Sequence, residues 1–426
     1  MADKFIIKEA RVIDPASDTD EIRDVAVCDG IFVEPATVPD APVLRLAGKI
    51  VTPGLIDSHV HLRDPGFPEK EDIATATAAA AAGGFTSVIA MANTHPVIDN
   101  VETFKETQRK IAAYATVRIL QCASITMDRK GGVFTDAAAL KNAGVPALSD
   151  DGTCIQDDSV MREALYRARL AGIAIVDHCE NTKVAADGVV NQGRVAEQLG
   201  VKGIPACAEE LIVARNLVLA SELNYPIILQ HLSSAGSVRL LRYAHERGIP
   251  LHGEVTPHHL CLTEEACLEY GTNAKMNPPL RSETDRRELL SGLQEGVLDI
   301  IGSDHAPHTE EEKEVGFAEA PFGIIGLETT IPVILTELYH KKVLSLGQII
   351  AKFTSAPATA FNVNCGKIQN GEAADLTVLD LEKEHTVDVS RFHSKGRNSP
   401  FNGWKCRGKA IGTMVGGRWV YREDWG

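Results

Sequence analysis

Apolar and polar positions follow two rhythms along this chain. Over the first fifty residues, short apolar runs read as strands, Phe5–Ile13, Val25–Val33 and Val43–Leu46, punctuated by Asp-Pro, Asp-Gly and Pro-rich turns. The last fifty repeat that rhythm in Leu376–Leu381 and Ala410–Tyr421, the latter divided by Gly416-Gly417. Neither end alone makes a convincing sheet, so the termini are expected to combine in one small β-domain. Between them, short apolar strands alternate with helical stretches. The strands are Ile50–Ile56, Ser87–Met91, Thr116–Cys122, Val145–Leu148, Ile173–Val176, Pro226–Leu229, Pro250–Gly253 and Leu298–Ile301. Helices between them include Glu69–Ala82, Ser159–Ala171, Ala208–Leu223 and Ala235–Arg247. Eight strand-plus-helix units predict an α/β chain with a (β/α)8 TIM-type barrel. The expected division is 1–52 and 365–426 for the two parts of a terminal β-sandwich, with the catalytic barrel over 53–364. A doubly wound open sheet is the alternative, but no G-x-G-x-x-G follows a strand to support a dinucleotide site. The Ala-rich stretch Ala74–Ala82 reads as a helix packed tightly against the barrel.

Composition narrows the class without changing that picture. The 426 residues carry 43 Lys+Arg against 58 Asp+Glu, a formal charge of −15, and 44% are hydrophobic. Such a chain is neither disordered, collagen-like nor a small disulfide scaffold. Its acidity argues against a nucleic-acid or anionic-membrane binder, which needs a basic face. The nine cysteines (Cys28, Cys122, Cys154, Cys179, Cys207, Cys261, Cys267, Cys365 and Cys406) are scattered, with no C-x-x-C pair. That pattern points to a reducing, cytoplasmic compartment. The N-terminal MADKFIIKEARVIDP has no long apolar region of a signal peptide. The longest apolar stretch, around Ile324–Leu338, is broken by Glu328 and Pro332. A soluble protein is expected.

The chemistry follows the apolar runs. The first strand leads into Asp57-Ser58-His59-Val60-His61-Leu62-Arg63-Asp64-Pro65-Gly66 and the second into Asn93-Thr94. The fourth leads into Ser149-Asp150-Asp151-Gly152, the fifth into Asp177-His178-Cys179-Glu180 and the sixth into Gln230-His231. The seventh reaches Glu254, then His258-His259, and the eighth reaches Ser303-Asp304-His305-Ala306-Pro307-His308. In a parallel barrel all these positions share the carboxyl face.

His59 and His61, two apart in extended chain, project to the same side, which suits a divalent metal of zinc type. Singly, each of these residues reads as a strand cap, loop acid or hydrogen-bonded core histidine. Four His and two Asp placed directly after strands are too many for independent caps and exceed one tetrahedral zinc. They suit two metals about 3.5–4 Å apart that share a carboxylate and a water. The expected set is His59, His61 and Asp304 on one metal, His178 and His231 on the other, with Asp151 between them. Metals bring the pKa of bound water toward ~7 and make hydroxide available. Asp304 would hold metal and also act as general acid and base, passing a proton to a leaving nitrogen.

Six segments carry a resemblance. His59-Val60-His61-Leu62-Arg63-Asp64-Pro65-Gly66, Asn93-Thr94-His95-Pro96 and Ser149-Asp150-Asp151-Gly152 are the first three. Glu254-Val255-Thr256-Pro257-His258-His259-Leu260, Asn277-Pro278-Pro279-Leu280-Arg281 and Ser303-Asp304-His305-Ala306-Pro307-His308 are the others, completed by Pro321-Phe322-Gly323 and Gly326-Leu327-Glu328. Over nearly the whole chain the sequence resembles dihydroorotase of the long class I type, a cyclic amidohydrolase. The resemblance implies a zinc enzyme of pyrimidine (UMP) biosynthesis that interconverts N-carbamoyl-L-aspartate and L-dihydroorotate, and a barrel with a composite terminal β-domain.

By motif position it further implies that Arg63, Asn93 and His308 hold the substrate carboxylate. Asn277 and the backbone of Pro321, Phe322 and Gly323 would position the ring. A guanidinium fork suits a carboxylate, which agrees for Arg63. Two departures stand out. Met91-Ala92-Asn93-Thr94 replaces the Met-Pro-Asn-Thr of many relatives, and the Asn is kept. The fourth-strand lysine that many amidohydrolases carboxylate to bridge their metals is absent from Val145–Gly152. The class I pattern gives that task to Asp151. Asp150 is its rival, since adjacent strand residues face opposite ways. The acidic stretch Thr309–Ala320 reads equally as a lid or a solvated loop.

The alternatives are an allantoinase or hydantoinase, a non-catalytic dihydroorotase-like scaffold, and a structural zinc protein. A homodimer is the ordinary default for a soluble enzyme, and association with aspartate transcarbamoylase rests on family analogy.

Overall fold

The structure, a computed structural model, describes residues 4–364 and 366–423; Cys365 and the outermost residues of both expected terminal portions lie outside them. Among the described residues, eight parallel strands in the middle of the chain form two sheets, apart from the short parallel pair Val190–Asn191 and Gly203–Ile204. Leu55–Val60, Phe85–Ala90 and Arg118–Gln121 form one sheet. Ala147–Leu148, Ala174–Asp177, Ile227–Leu229, Leu251–Val255 and Ile300–Ile301 form another. Isolated parallel bridges, Ala123 to Leu148 and Val60 to His305, join the two sheets at both margins.

Strand alternation separates two buried surfaces. Ile56, Ile89, Val176, Ile228 and Ile300 gather in one cluster. Their neighbours Leu55, Val88, Ile175 and Leu229 pack the other way, against the helices. Strands buried on both faces explain why the sequence shows unbroken apolar runs there. The intervening helices include Ile73–Gly83, Asp158–Ala171, Cys207–Leu223 and Ala235–Glu246. Ile73–Gly83 begins four residues later than its pattern predicts, because Asp72 and Thr75 form a reciprocal cap at its start.

The run expected as one strand, Ile50–Ile56, is two. Ile50–Pro53 belongs to a six-stranded sheet, and Leu55–Val60 opens the parallel set. Gly54 is the joint, where any Cβ would overlap the Thr86 side chain. The six-stranded sheet runs Arg418–Arg422, Lys405–Val415, Leu376–Thr386, Ile50–Pro53, Arg11–Asp14, Thr19–Ile22, and so mixes strands from both ends of the chain. A four-stranded sheet, Ile31–Val33, Val25–Cys28, Lys4–Lys8, Val43–Arg45, faces it across a core that includes Ile7, Val27, Phe32, Leu376 and Ile411. Thr19–Ile22 was not expected: it is an edge strand, polar and largely exposed, and shows no apolar alternation.

Helix Ile73–Gly83 ties this terminal part to the parallel strands. Its alanines bury Ala76, Ala79, Ala80 and Ala81, and small side chains let the sheet approach. Thr413 Oγ1 donates to the Ala81 carbonyl and Thr377 Oγ1 to that of Gly84, both at 2.7 Å. Among the described residues no helix is long and apolar enough to cross a membrane, and the eight described cysteines are free.

Candidate active site

Polar groups from distant strands meet at the carboxyl ends of the parallel set. His61 Nε2 lies 3.0 Å from Asp304 Oδ1, and His59 Nε2 lies 3.5 Å from the same oxygen. Asp304 adopts φ +49°, a left-handed conformation that costs a non-glycine residue energy and turns the carboxylate inward. His178 Nδ1 and His231 Nε2 point at each other across 2.9 Å. Asp151 sits between the pairs: Oδ1 is 3.7 Å from His59 Nε2 and 3.8 Å from His178 Nδ1, and Oδ2 is 3.7 Å from His61 Nε2. None of the six is more than 7% exposed.

The adjacent acids do divide their work. Asp150 accepts hydrogen bonds from Ile125 N at 2.8 Å, Thr126 N at 3.1 Å and the Thr126 hydroxyl, so it braces a loop. Asp151 faces the histidines.

The electrostatics of the cluster call for a cation. Burial works against a charged His59, yet Asp304, Glu254 and Asp151 push its pKa up to about 10. Burial likewise opposes ionisation of Asp304, but His59 and His61 hold its carboxyl far below the usual range. His231 is held neutral by burial and by the neighbouring His178. Carboxylates that draw a proton onto a fully buried imidazole belong to a site short of positive charge. Its donor atoms form two groups, His59, His61 and Asp151, and Asp151, His178 and His231, with all atoms of each group within 4.8 Å of one another. Imidazole nitrogens and carboxylate oxygens so arranged fit divalent metal.

Carboxylates brace these side chains. Glu254 Oε1 lies 3.1 Å from His59 Nδ1 and accepts from His231 N at 3.2 Å, while its other oxygen accepts from the Ser58 hydroxyl. Asp57 accepts from Ser303 N at 2.9 Å and His59 N at 3.2 Å, tying the first strand to the eighth; burial lifts its pKa to about 6. Glu180 lies 3.8 Å from His178 Nε2.

The residues expected to hold substrate are distributed unevenly. Arg63, at φ +60°, donates from Nε to the Pro307 carbonyl at 3.2 Å, and its Nη2 lies 3.3 Å from His308 Nε2. Among the described residues it has no carboxylate in an ion pair. His308 Nε2 lies 2.9 Å from the Phe322 carbonyl, so Arg63, His308 and the Pro321–Gly323 segment are brought together. Gly323, at φ +131°, runs so close to Ala306 and His308 that a side chain would collide. Asn93 sits beside the His and Asp cluster: its Oδ1 is 2.9 Å from His61 Nδ1 and its Nδ2 donates to Asp151 at 3.0 Å. Asn277 Nδ2 donates to Glu180 at 3.1 Å.

Known proteins share both sequence and fold. The chain is 42% identical over 423 residues to the dihydroorotase of Bacillus cytotoxicus, with 99% of each chain covered. It is 44% identical to that of Pelotomaculum thermopropionicum, again with 99% of each covered. This chain belongs to the dihydroorotase family. The Dihydro-orotase-like family model matches residues 48–234. Among solved structures, L-hydantoinase (dihydropyrimidinase) from Arthrobacter aurescens superposes with a TM-score of 0.87 at 28% identity, over 98% of this chain and 96% of that one. Dihydropyrimidinase from Brevibacillus agri gives 0.86 at 25% identity, over 98% and 95%. A cyclic amide hydrolase is thus the class that sequence and fold share.

For a dihydroorotase-family chain, three supporting groups escaped the sequence reading. Glu254 was visible as the end of a strand but had no task; its partner His59 lies 195 residues away. Asp57 and Glu180 flank candidate ligands and were given no task. The one available signal was an acid closing an otherwise apolar run.

Proposed function

We propose that this site interconverts N-carbamoyl-L-aspartate and L-dihydroorotate, the ring-closing step of pyrimidine synthesis. The observation that carries the reading is Arg63, a guanidinium that makes no ion pair among the described residues, set beside the buried His and Asp cluster. An anionic cyclic amide meets both demands: its carboxylate pairs with Arg63 and His308, and its reacting amide then lies toward Asp304. Asp304 accepts a proton from the attacking water and returns it to the departing ring nitrogen. In the reverse direction it takes the proton from the attacking ureido nitrogen and delivers it to the leaving oxygen. Asn93 orients His61 and Asp151, while Asn277 and the Pro321–Gly323 backbone align the ring.

Zinc is the metal we propose, with His59, His61 and Asp304 holding one ion, His178 and His231 a second, and Asp151 shared. Bound there, it supplies Lewis-acid polarisation of the amide carbonyl and lowers the pKa of water.

The scaffold we propose is a closed (β/α)8 barrel over residues 53–364, with a β-sandwich of 1–52 and 365–426. The bridges at Ala123 and Val60 support that closure. A homodimer is the proposed assembly in the cytoplasm. Outward Leu170, Leu211 and Val218, at 71%, 50% and 62% exposure, support it, and light scattering on the purified protein tests it.

The deciding experiment is a substrate panel. Turnover of L-dihydroorotate and N-carbamoyl-L-aspartate, with little on hydantoin or allantoin, is expected. Preference for an uncharged ring would overturn the reading, and metal binding without any turnover would favour the scaffold alternative.

A further inference from the structure

The turn after His308 carries two adjacent charges, one engaged by side chains and the other by backbone carbonyls. Thr309 caps the short helix Glu310–Lys313 in a reciprocal box with Glu312. Glu312 then reaches back: its carboxylate lies 3.0 Å from His308 Nδ1 and 2.7 Å from Lys70 Nζ. Lys313 points the other way and is only 5% exposed. Its ammonium donates to the carbonyls of Pro321 at 2.9 Å and Gly323 at 3.0 Å, with that of Lys275 at 3.5 Å. No carboxylate forms an ion pair with it among the described residues. Burying an ammonium on neutral acceptors alone is costly, and burial pulls its pKa down to about 7. A hydrocarbon side chain would fill the same space without that cost.

We propose that Glu312 and Lys313 are positioning residues for substrate: Lys313 fixes the backbone of Pro321–Gly323, and Glu312 fixes the His308 ring beside Arg63. This rests on the reading of that face as the carboxylate-binding side. The turn is therefore a strap fastened at Glu312 and Lys313, while Glu310, Glu311 and Glu314 stay exposed to solvent. Three further bonds hold it down. Thr272 Oγ1 donates to the Lys313 carbonyl at 2.6 Å. Lys275 Nζ donates to the carbonyls of Phe317 and Ala318 at 2.7 and 3.0 Å.

The test is steady-state kinetics of the metal-loaded enzyme with L-dihydroorotate, for Lys313→Met and Glu312→Gln, alongside metal content and Tm. KM should rise roughly tenfold or more in each, as expected for a lost charged hydrogen bond. kcat should stay within about threefold and metal content should match wild type, a split that general destabilisation does not produce. An unchanged KM, or a fall in kcat with loss of metal, would overturn the proposal. Should Lys313→Met fail to fold, Glu312→Gln decides alone, since that side chain is 35% exposed. If the wild type itself ignores dihydroorotate but opens other cyclic amides, the functional reading falls and takes the strap with it. If the wild type is active and the variants are indistinguishable from it, only the strap falls.

Discussion

Replacing Glu254 by Gln isolates one charge from the packing around it. Glu254 is fully buried, and its Oε1 meets two donors, His59 Nδ1 at 3.1 Å and His231 N at 3.2 Å. The amide oxygen of Gln must take that side. The new NH2 then faces the Ser58 hydroxyl, which can turn its hydrogen away and accept. No hydrogen bond is lost in number; a charge-assisted set becomes a neutral one. That difference is worth about 1–1.5 kcal/mol, or roughly tenfold in an equilibrium constant. The effect reaches the proposed metal, because a carboxylate behind one ring nitrogen makes the opposite nitrogen a better ligand. Competition with a chelator should therefore show metal affinity about tenfold weaker in Glu254→Gln, with kcat recovering at saturating metal. Unchanged affinity would refute the reasoning, as would a kcat defect that added metal does not restore.

Three other outcomes follow from the same geometry. Asp304→Asn should keep only part of the metal while kcat, measured at saturating metal, falls by about 10³-fold, in keeping with loss of a general acid-base group; near-normal turnover would remove Asp304 from proton transfer. Asp150→Asn should lower Tm and leave metal content alone, whereas Asp151→Asn should lower metal content, both read by denaturation and elemental analysis. Lys352 is buried with Nζ donating to the Leu298 carbonyl at 2.8 Å, and burial lowers its pKa to about 8. The unfolded chain then binds the extra proton between that value and about 10.5, so stability rises with pH across this window. Relative to Lys352→Met, wild type should gain stability between pH 8 and 10.5 by at most about 3 kcal/mol; parallel denaturation curves would contradict this.

Much of the site is legible because it obeys a local rule: a polar group directly after an apolar run. His59, His61, Asp151, His178, His231 and Asp304 all follow it. What escaped depends on distance or on space. The choice between Asp150 and Asp151 needs the loop at Ile125 and Thr126, whose backbone N–H groups claim Asp150. The division at Gly54 leaves no mark in the apolar pattern, since Ile50–Pro53 and Leu55–Val60 are both buried throughout. The Thr86 side chain, from the next strand, requires the glycine. Asn93, expected against substrate by motif position, spans His61 and Asp151 with its amide, a contact that sequence spacing cannot reveal. Thr19–Ile22 is recognisable only by its partner Arg11–Asp14.

The shared terminal sheet sets a timetable for the ribosome's product. Ile50–Pro53 pairs with Arg11–Asp14 on one side and Leu376–Thr386 on the other. The early strand must wait, half-paired, until more than three hundred further residues have emerged. His59 lies six residues beyond Pro53, so the first of the proposed metal ligands hangs from an anchor that is secured late. A nascent chain shortened before Leu376 would leave that anchor open along one edge, and should bind metal poorly even with every ligand present.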